Sequence, residues 1–254
     1  MSKKVLVTGS TRGIGKGILE RFHRGNWDVC ISGRNINEVE GITNNLNGIR
    51  NNSAIGMAVD LEAKSDLIAL FESINKLWGE LDCIVFNIGS GSGVKGLTAT
   101  FEENELTTKI NFTNIVKQFN TFIDLIKLNN RSGSVIFIGS IAQKINVNAP
   151  ISYSNSKRAL NTFAKYQALT LASRKIRVNI INPGHILTET GVWDKKRINT
   201  PEEFNDFIGE NIPIGMIGKV EEIAETVFFC AANPNQNFLV GANIDVDGGT
   251  SLID

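Results

Sequence analysis

Seven short apolar runs punctuate the chain, at residues 5–7, 29–31, 54–59, 83–86, 135–138, 178–181 and 244–246. They are too continuously apolar for strands with one wet face, so the pattern predicts buried strands. Between them apolar residues return every three or four positions over 14–24, 66–77, 101–128 and 152–174, which predicts helices. Strand alternating with helix gives a parallel sheet with crossover helices on both faces, a doubly wound α/β fold of about seven strands. In such a sheet ligands bind outside the carboxyl ends of the strands, so chemistry is expected in the turns that follow them. Two stretches break the rhythm: 89–100, which holds four glycines, and 185–216. Loops of that length in a compact fold are usually functional or disordered, and 185–216 is expected to form a substrate lid. With no internal repeat or Pro/Ser-rich linker, residues 1–254 read as a single domain.

Composition narrows the classes of function. The 26 Lys and Arg balance the 26 Asp and Glu, so there is no net positive field to hold nucleic acid or an anionic membrane. No run approaches the roughly 18 apolar residues of a membrane span, and no signal peptide is visible, so a cytoplasmic protein is expected. Cys30, Cys83 and Cys230 are odd in number and each lies in an apolar run, which predicts reduced core thiols in a reducing compartment. Only His23 and His185 are present, without clustered Cys, His or Asp spacing, and no metal site is expected.

The first strand runs into Thr8-Gly9-Ser10-Thr11-Arg12-Gly13-Ile14-Gly15 and then into the amphipathic pattern Ile14, Ile18, Leu19, Phe22. Glycines let the backbone turn tightly and approach a pyrophosphate, whose charge free amides and the positive helix end then meet. The spacing departs from GxGxxG, so a ligand-free strand-to-helix turn is the alternative. The second strand ends at Ser32-Gly33-Arg34-Asn35, where a dinucleotide fold meets the adenosine ribose. An acidic residue there would repel a 2′-phosphate; none is present, and Arg34 with Arg12 offers donors for one. This predicts NADP(H) in preference to NAD(H), the alternative being two arginines that merely face water.

These residues, with Asp60, Asn87-x-Gly89, Asn111, Ser140, Tyr153-x-x-x-Lys157, Asn182-Pro183-Gly184 and Thr188, resemble the short-chain dehydrogenase/reductase family in order and spacing over almost the whole chain. The one departure is Phe86-Asn87-Ile88-Gly89, where that family more often has two asparagines and an alanine. The resemblance implies a Rossmann-type fold and hydride transfer between a nicotinamide and a carbonyl or secondary alcohol. It implies Tyr153 as proton donor, Ser140 as the hydroxyl steadying the substrate oxygen, and Asn111 as holder of a water that relays protons toward Lys157. Tyr153 and Lys157 stand i and i+4 on one helical face, so the ammonium is expected to lower the phenol pKa. Cofactor contacts carried over with the resemblance are Gly9, Thr11, Arg12, Gly13, Ile14, Gly15, Arg34, Asp60, Leu61, Asn87, Gly89, Tyr153, Lys157, Pro183, Gly184, Ile186 and Thr188.

Within that family the chain looks most like the 3-oxoacyl-[acyl-carrier-protein] reductase branch, in which Arg131 and Arg174 would meet an acidic carrier. Trp193, Phe204, Phe207 and Ile208 beside Lys195, Lys196 and Arg197 give the expected lid an apolar face and a basic run, the alternative being a short surface helix with core-facing aromatics and solvated charges. The expected substrate is a 3-oxoacyl thioester, in a fatty acid biosynthesis setting. The alternatives are a sugar, nucleotide-sugar or other small ketone or alcohol, and a non-catalytic nucleotide-binding regulator. The helices over 102–128 and 152–174 carry Phe112, Ile115, Phe119, Phe122, Leu160, Phe163 and Leu171, enough for an outer face as well as a core face, and a homodimer or homotetramer through these helices is expected; the alternative is that all of these residues fill the monomer core.

Overall fold

The computed structural model describes residues 2–91, 99–125, 133–233 and 235–253. Its strands are β1 (Lys4–Val7), β2 (Asp28–Gly33), β3 (Ala54–Ala58), β4 (Cys83–Phe86), β5 (Gly133–Ile138), β6 (Ile176–Pro183), the two-residue β7 (Ile186–Leu187) and β8 (Gly218–Lys219), and β9 (Asn243–Val246). All seven expected runs form one sheet in the order β3-β2-β1-β4-β5-β6-β9, and every neighbouring pair is parallel. The order reverses between β1 and β4, which places the ligand crevice at their carboxyl ends.

Nine α-helices are described: α1 (Gly13–Arg24), α2 (Ile36–Ile49), α3 (Lys64–Leu77), α4 (Phe101–Thr108), α5 (Asn114–Phe122), α6 (Ile151–Ala172), α7 (Val192–Asn199), α8 (Pro201–Asn211) and α9 (Val220–Ala232). One sheet face packs against α3, α5 and α6 through Leu70, Ile74, Ile115, Phe119, Phe122 and Leu160. The other packs against α1, α2 and α9 through Ile18, Leu19, Phe22, Val39, Ile223 and Val227. Both faces are dry, which is why the central strands read as unbroken apolar runs. The two edge strands, β3 and β9, are mostly half-buried rather than buried, because each lacks a neighbour on one side.

Three expectations are corrected. The helix expected over 101–128 is not continuous: α4 passes through a π-helical turn at Lys109–Thr113 into α5 and ends in a 3₁₀ turn at Ile123–Leu125, and residues 126–128 lie outside those described. The apolar residues expected to supply an outer face as well as a core face go to the core, as in the alternative: Ile115, Phe119, Phe122, Leu160 and Leu171 are buried there, with Phe112 and Phe163 packed against it. The apolar groups that these helices show to solvent are others, including Leu106, Tyr166 and Leu169, the last 79% exposed. Finally, 185–216 is not an irregular loop, since it contains β7, α7 and α8. The isolated thiols are as expected: all three cysteines are free and buried.

Candidate active site

The glycine turn closes β1 onto α1. Gly9 and Gly13 have φ of 63° and 55°, the left-handed region that a side chain disfavours. A Cβ on Gly15 would lie 2.3 Å from the Gly9 carbonyl oxygen and 2.4 Å from Asn87 Nδ2, so only glycine lets the helix start this close to the turn. Asn87 binds the turn from β4: its backbone N–H donates to Thr8 Oγ1 at 3.1 Å, and its Nδ2 donates to the Thr8 and Gly9 carbonyls at 3.2 and 3.1 Å. Ser10 N–H donates to the Ser32 carbonyl at 3.0 Å, which brings the end of β2 alongside. Thr11 lies over Gly33, where a Cβ would come within 2.4 Å of its methyl group. Ile14 packs against the core, while Arg12 and Arg34 are exposed and have no ion-pair partner among the described residues.

Opposite the start of α1 stands Thr188, whose side chain would be 3.7 Å from a Cβ on Gly13. It is placed by Pro183 at the end of β6, by Gly184, whose N–H donates to the Val246 carbonyl at 3.0 Å, and by Ile186, buried where β7 pairs with β8. Asp60 lies beyond β3, exposed, with Oδ1 accepting from Glu62 N–H at 3.0 Å. The Leu61 side chain is buried in the core, so any ligand contact there falls to its backbone. The glycine cradle and Thr188 thus face each other at the start of α1, with exposed Arg12 in the turn and exposed Arg34 just past β2, an arrangement that suits a dinucleotide.

The second group lies at the end of β5. Tyr153 and Lys157 share one face of α6, with Lys157 Nζ 5.7 Å from the phenol ring centroid. Lys157 is only 3% exposed, and its Nζ donates to the Ile138 carbonyl at 3.0 Å. Burial alone brings its pKa down to about 8. Ser140 caps the following 3₁₀ turn by accepting from Ala142 N–H at 3.2 Å, and a side-chain hydrogen bond joins it to Tyr153. The expected lowering of the phenol pKa is overturned for this structure. Burial pushes Tyr153 above its ordinary value, and the Ser140 hydrogen bond offsets this only in part. The lysine aims at a carbonyl instead of the phenolic oxygen, so its charge does little for the tyrosinate.

Asn111 sits in the π-helical turn, fully enclosed. Its Oδ1 accepts from Ser90 N–H at 2.9 Å, and its Nδ2 donates to the Ser90 and Thr107 carbonyls, both at 3.0 Å. A Cβ on Gly89 would fall 3.0 Å from Asn111 Oδ1 and 3.1 Å from Lys157 Nζ, so both groups front the same point beside that glycine. Widened π turns of this kind are frequent at functional sites. Sequence reasoning missed the Ile138 carbonyl and the Ser90 backbone as partners, because backbone groups leave no compositional mark.

Around 185–216 an aromatic group forms: His185 meets Trp193 and Phe207 edge-on at 4.9 and 5.0 Å, and Trp193 and Phe207 lie 4.4 Å apart. Phe204 is buried and Ile208 half-buried. The expected basic run is largely neutralised, with Arg197 bonded to Asp194 at 2.7 Å and Lys196 at 3.9 Å from Glu203. Arg174 lies half-buried just past α6, and Arg131 lies outside the described residues. Among the described residues no group of His, Cys, Asp and Glu could hold a metal ion, and no helix is long and apolar enough to cross a membrane.

A parallel sheet with a dinucleotide crevice at its switch point and a Ser-Tyr-Lys group at its rim defines a nucleotide-dependent oxidoreductase architecture. Residues 9–251 match a family model described as Enoyl-(Acyl carrier protein) reductase. Glucose 1-dehydrogenase 2 of Bacillus subtilis is 30% identical over 98% of this chain and 95% of its own. A 3-oxoacyl-[acyl-carrier-protein] reductase of Aquifex aeolicus is 30% identical over 97% of this chain and 96% of its own. Among solved structures, the 3-ketoacyl-(acyl-carrier-protein) reductase of Brucella melitensis complexed with NADH superposes with a TM-score of 0.83 at 26% identity, covering 98% of each chain. The chain belongs to the short-chain dehydrogenase/reductase family of oxidoreductases.

Proposed function

We propose that this protein is an NADP(H)-dependent carbonyl reductase whose substrate is a 3-oxoacyl thioester, presented on an acyl carrier. The observation that carries the reading is the meeting of Ser140, Tyr153 and Lys157 at the end of β5. Gly9, Gly13, Gly15 and Thr188 would hold the pyrophosphate, Asn87 and Gly89 the ribose-side turn, Asp60 and Leu61 the adenine, and Pro183, Gly184 and Ile186 the carboxamide side. Arg12 and Arg34 would pair with the 2′-phosphate. When bound, the nicotinamide supplies the hydride equivalent to the carbonyl carbon.

The protein's own work is at the oxygen. Ser140 Oγ accepts from Ala142 N–H, so its proton, directed in this structure at the Tyr153 phenol, is the one that can turn to a substrate oxygen seated between them. The raised phenol of Tyr153 stays protonated at neutral pH and gives its proton to that oxygen as charge builds there. Lys157, on the same face of α6, then returns a proton toward Tyr153. Asn111 and Lys157 front one point beside Gly89, the arrangement that a proton-relaying water needs.

A second reading keeps the chemistry and changes the substrate to a sugar or other small alcohol. The His185, Trp193 and Phe207 rings favour it, since aromatic faces suit sugar rings better than a basic run whose members are already paired. A matched Ser-Tyr-Lys group argues against a pure nucleotide-sensing role. Segment 185–216 acts as the lid in either reading. The free buried thiols support a cytoplasmic setting, and the solvent-facing Leu106, Tyr166 and Leu169 support association of copies into a dimer or tetramer. The deciding assay follows NADPH consumption with acetoacetyl-coenzyme A and with a panel of sugars. Turnover of the thioester that disappears in Tyr153→Phe, while NADPH still binds, supports the proposal; full activity in that variant overturns it.

A further inference from the structure

The turn that follows Ser140 is held by side chains from three other elements. Lys144 pairs with the Asp245 carboxylate on β9. Gln143 Nε2 donates to Asn243 Oδ1, also on β9, at 3.1 Å. Arg158, next to Lys157 on α6, donates from Nε to the Gln143 carbonyl at 2.6 Å. Asn182, near the end of β6, joins these contacts: its Nδ2 donates to Asn243 Oδ1 and, at 2.8 Å, to Asp245 Oδ1. Asn182 is completely buried, and its Oδ1 has no hydrogen-bond partner among the described residues. That oxygen backs onto Gly139, where a Cβ would lie only 2.1 Å from it.

We propose that Asn182, Asn243 and Asp245 are positioning residues which, through Gly139, Gln143 and Lys144, fix the Ser140 hydroxyl against the Tyr153 phenol. The inference rests on the reading of Ser140 and Tyr153 given above. Register explains the reach of β9: Asp245 lies directly beside Asn182, and Asn243, two residues earlier, points to the same sheet face. Backbone pairing over Ile180–Pro183 already fastens β9 to β6, so these side chains are not needed merely to seat the strand. By contrast, past Gly139, whose N–H donates to the Ile181 carbonyl at 2.7 Å, the backbone of the turn makes short local bonds, from Gln143 N–H to the Ser140 carbonyl at 3.2 Å and from Lys144 and Ile145 N–H to the Ile141 carbonyl at 2.8 and 3.2 Å. A displacement of about 1 Å at a reacting group costs on the order of 100-fold in rate.

The chain has two tyrosines, Tyr153 and Tyr166, so ¹³Cζ-tyrosine NMR gives two resonances that Tyr153→Phe assigns. Lys144→Met and Asp245→Ala should each lower kcat for acetoacetyl-coenzyme A roughly 10- to 100-fold and leave KM for NADPH within about twofold. Both should move the Tyr153 titration upward, in the direction that Ser140→Ala moves it. The charge-swapped pair Lys144→Asp with Asp245→Lys should recover part of kcat. A wild-type Tyr153 titration in both single variants overturns the proposal, even if no probe substrate is turned over. So does a loss of kcat that merely follows melting temperature and that the swapped pair does not recover. Full turnover in Ser140→Ala and Tyr153→Phe would instead sink the reading of the site; loss in those two with none in the network variants sinks the positioning role alone.

Discussion

Lys157 shows how burial sets the working range of a single residue. Its pKa is brought down to about 8 by desolvation, so its charge is present at neutral pH and lost as pH rises through that value. Because kcat/KM reports groups of the free enzyme, log(kcat/KM) for carbonyl reduction should bend downward near pH 8, and a profile flat to pH 10 would contradict the assigned role. Arg34 tests the cofactor end. It is exposed and without an ion-pair partner among the described residues, so Arg34→Ser should weaken NADPH binding about 10- to 100-fold and leave NADH binding nearly unchanged, as read by fluorescence titration. Arg34, Tyr153 and Lys157 were legible as individual letters. What they do to one another was not: burial of the phenol sets the direction of the Tyr153 shift, and the lysine turns to the Ile138 carbonyl, an acceptor that no side-chain pattern encodes.

At the level of elements, the break in the 101–128 helix carries the same lesson. Apolar residues return with helical spacing at Phe112, Ile115, Phe119 and Phe122, yet just before them Asn111 bonds both backbone groups of Ser90 and the turn widens to let it. Periodicity records which face is buried, not how the ladder is locally wound. Asn111→Leu would remove all three of its side-chain bonds and leave the half-buried Ser90 N–H and carbonyl to find other partners, a cost of up to about 1–3 kcal/mol per group left unsatisfied. The expected outcome is a lower melting temperature together with loss of most turnover, checked by calorimetry and by the NADPH assay. Gly15 offers a cleaner case at the other end of the site. Gly15→Ala puts a methyl 2.3 Å from the Gly9 carbonyl oxygen, so α1 must retreat from the turn. Cofactor affinity should fall at least tenfold, while the core beneath, built on Ile18, Leu19 and Phe22, keeps the fold. An alanine variant that binds NADPH as tightly as the wild type would show that the close approach does not serve the cofactor.

The molecule as a whole was read correctly where one physical rule dominates. Strands buried on two faces tend toward unbroken apolar runs, and β1, β4 and β5 come near to that, whereas β6 buries Arg177, Asn179 and Asn182 among its apolar residues, and of the two half-exposed edge strands β9 mixes polar with apolar residues while β3 is apolar throughout. Which apolar helix face meets the sheet and which meets solvent is a question of rotation that the residue types of α5 and α6 do not settle, so an inner and an outer place are both open to residues such as Phe119 and Leu160, which lie inside. The same burial has a consequence for acid stability. His23 is 5% exposed, bonded through Nε2 to Ser53 Oγ at 2.8 Å, and its pKa is lowered first by burial and then by the Arg50 charge, with Asp28 opposing. His185, among its aromatic neighbours, is also lowered by burial, against the pull of Asp247. For both, the unfolded chain takes up a proton more readily than the folded one, so stability is full above the ordinary histidine pKa of about 6.5 and is lost as pH falls below it. The melting temperature should therefore drop by several degrees between pH 7 and pH 5. Much of the drop should be absent in His23→Gln, whose amide can still reach Ser53 but cannot gain charge. Carboxylates titrate mainly below this window, and an equal drop in His23→Gln would mean that the buried histidine is not the group responsible.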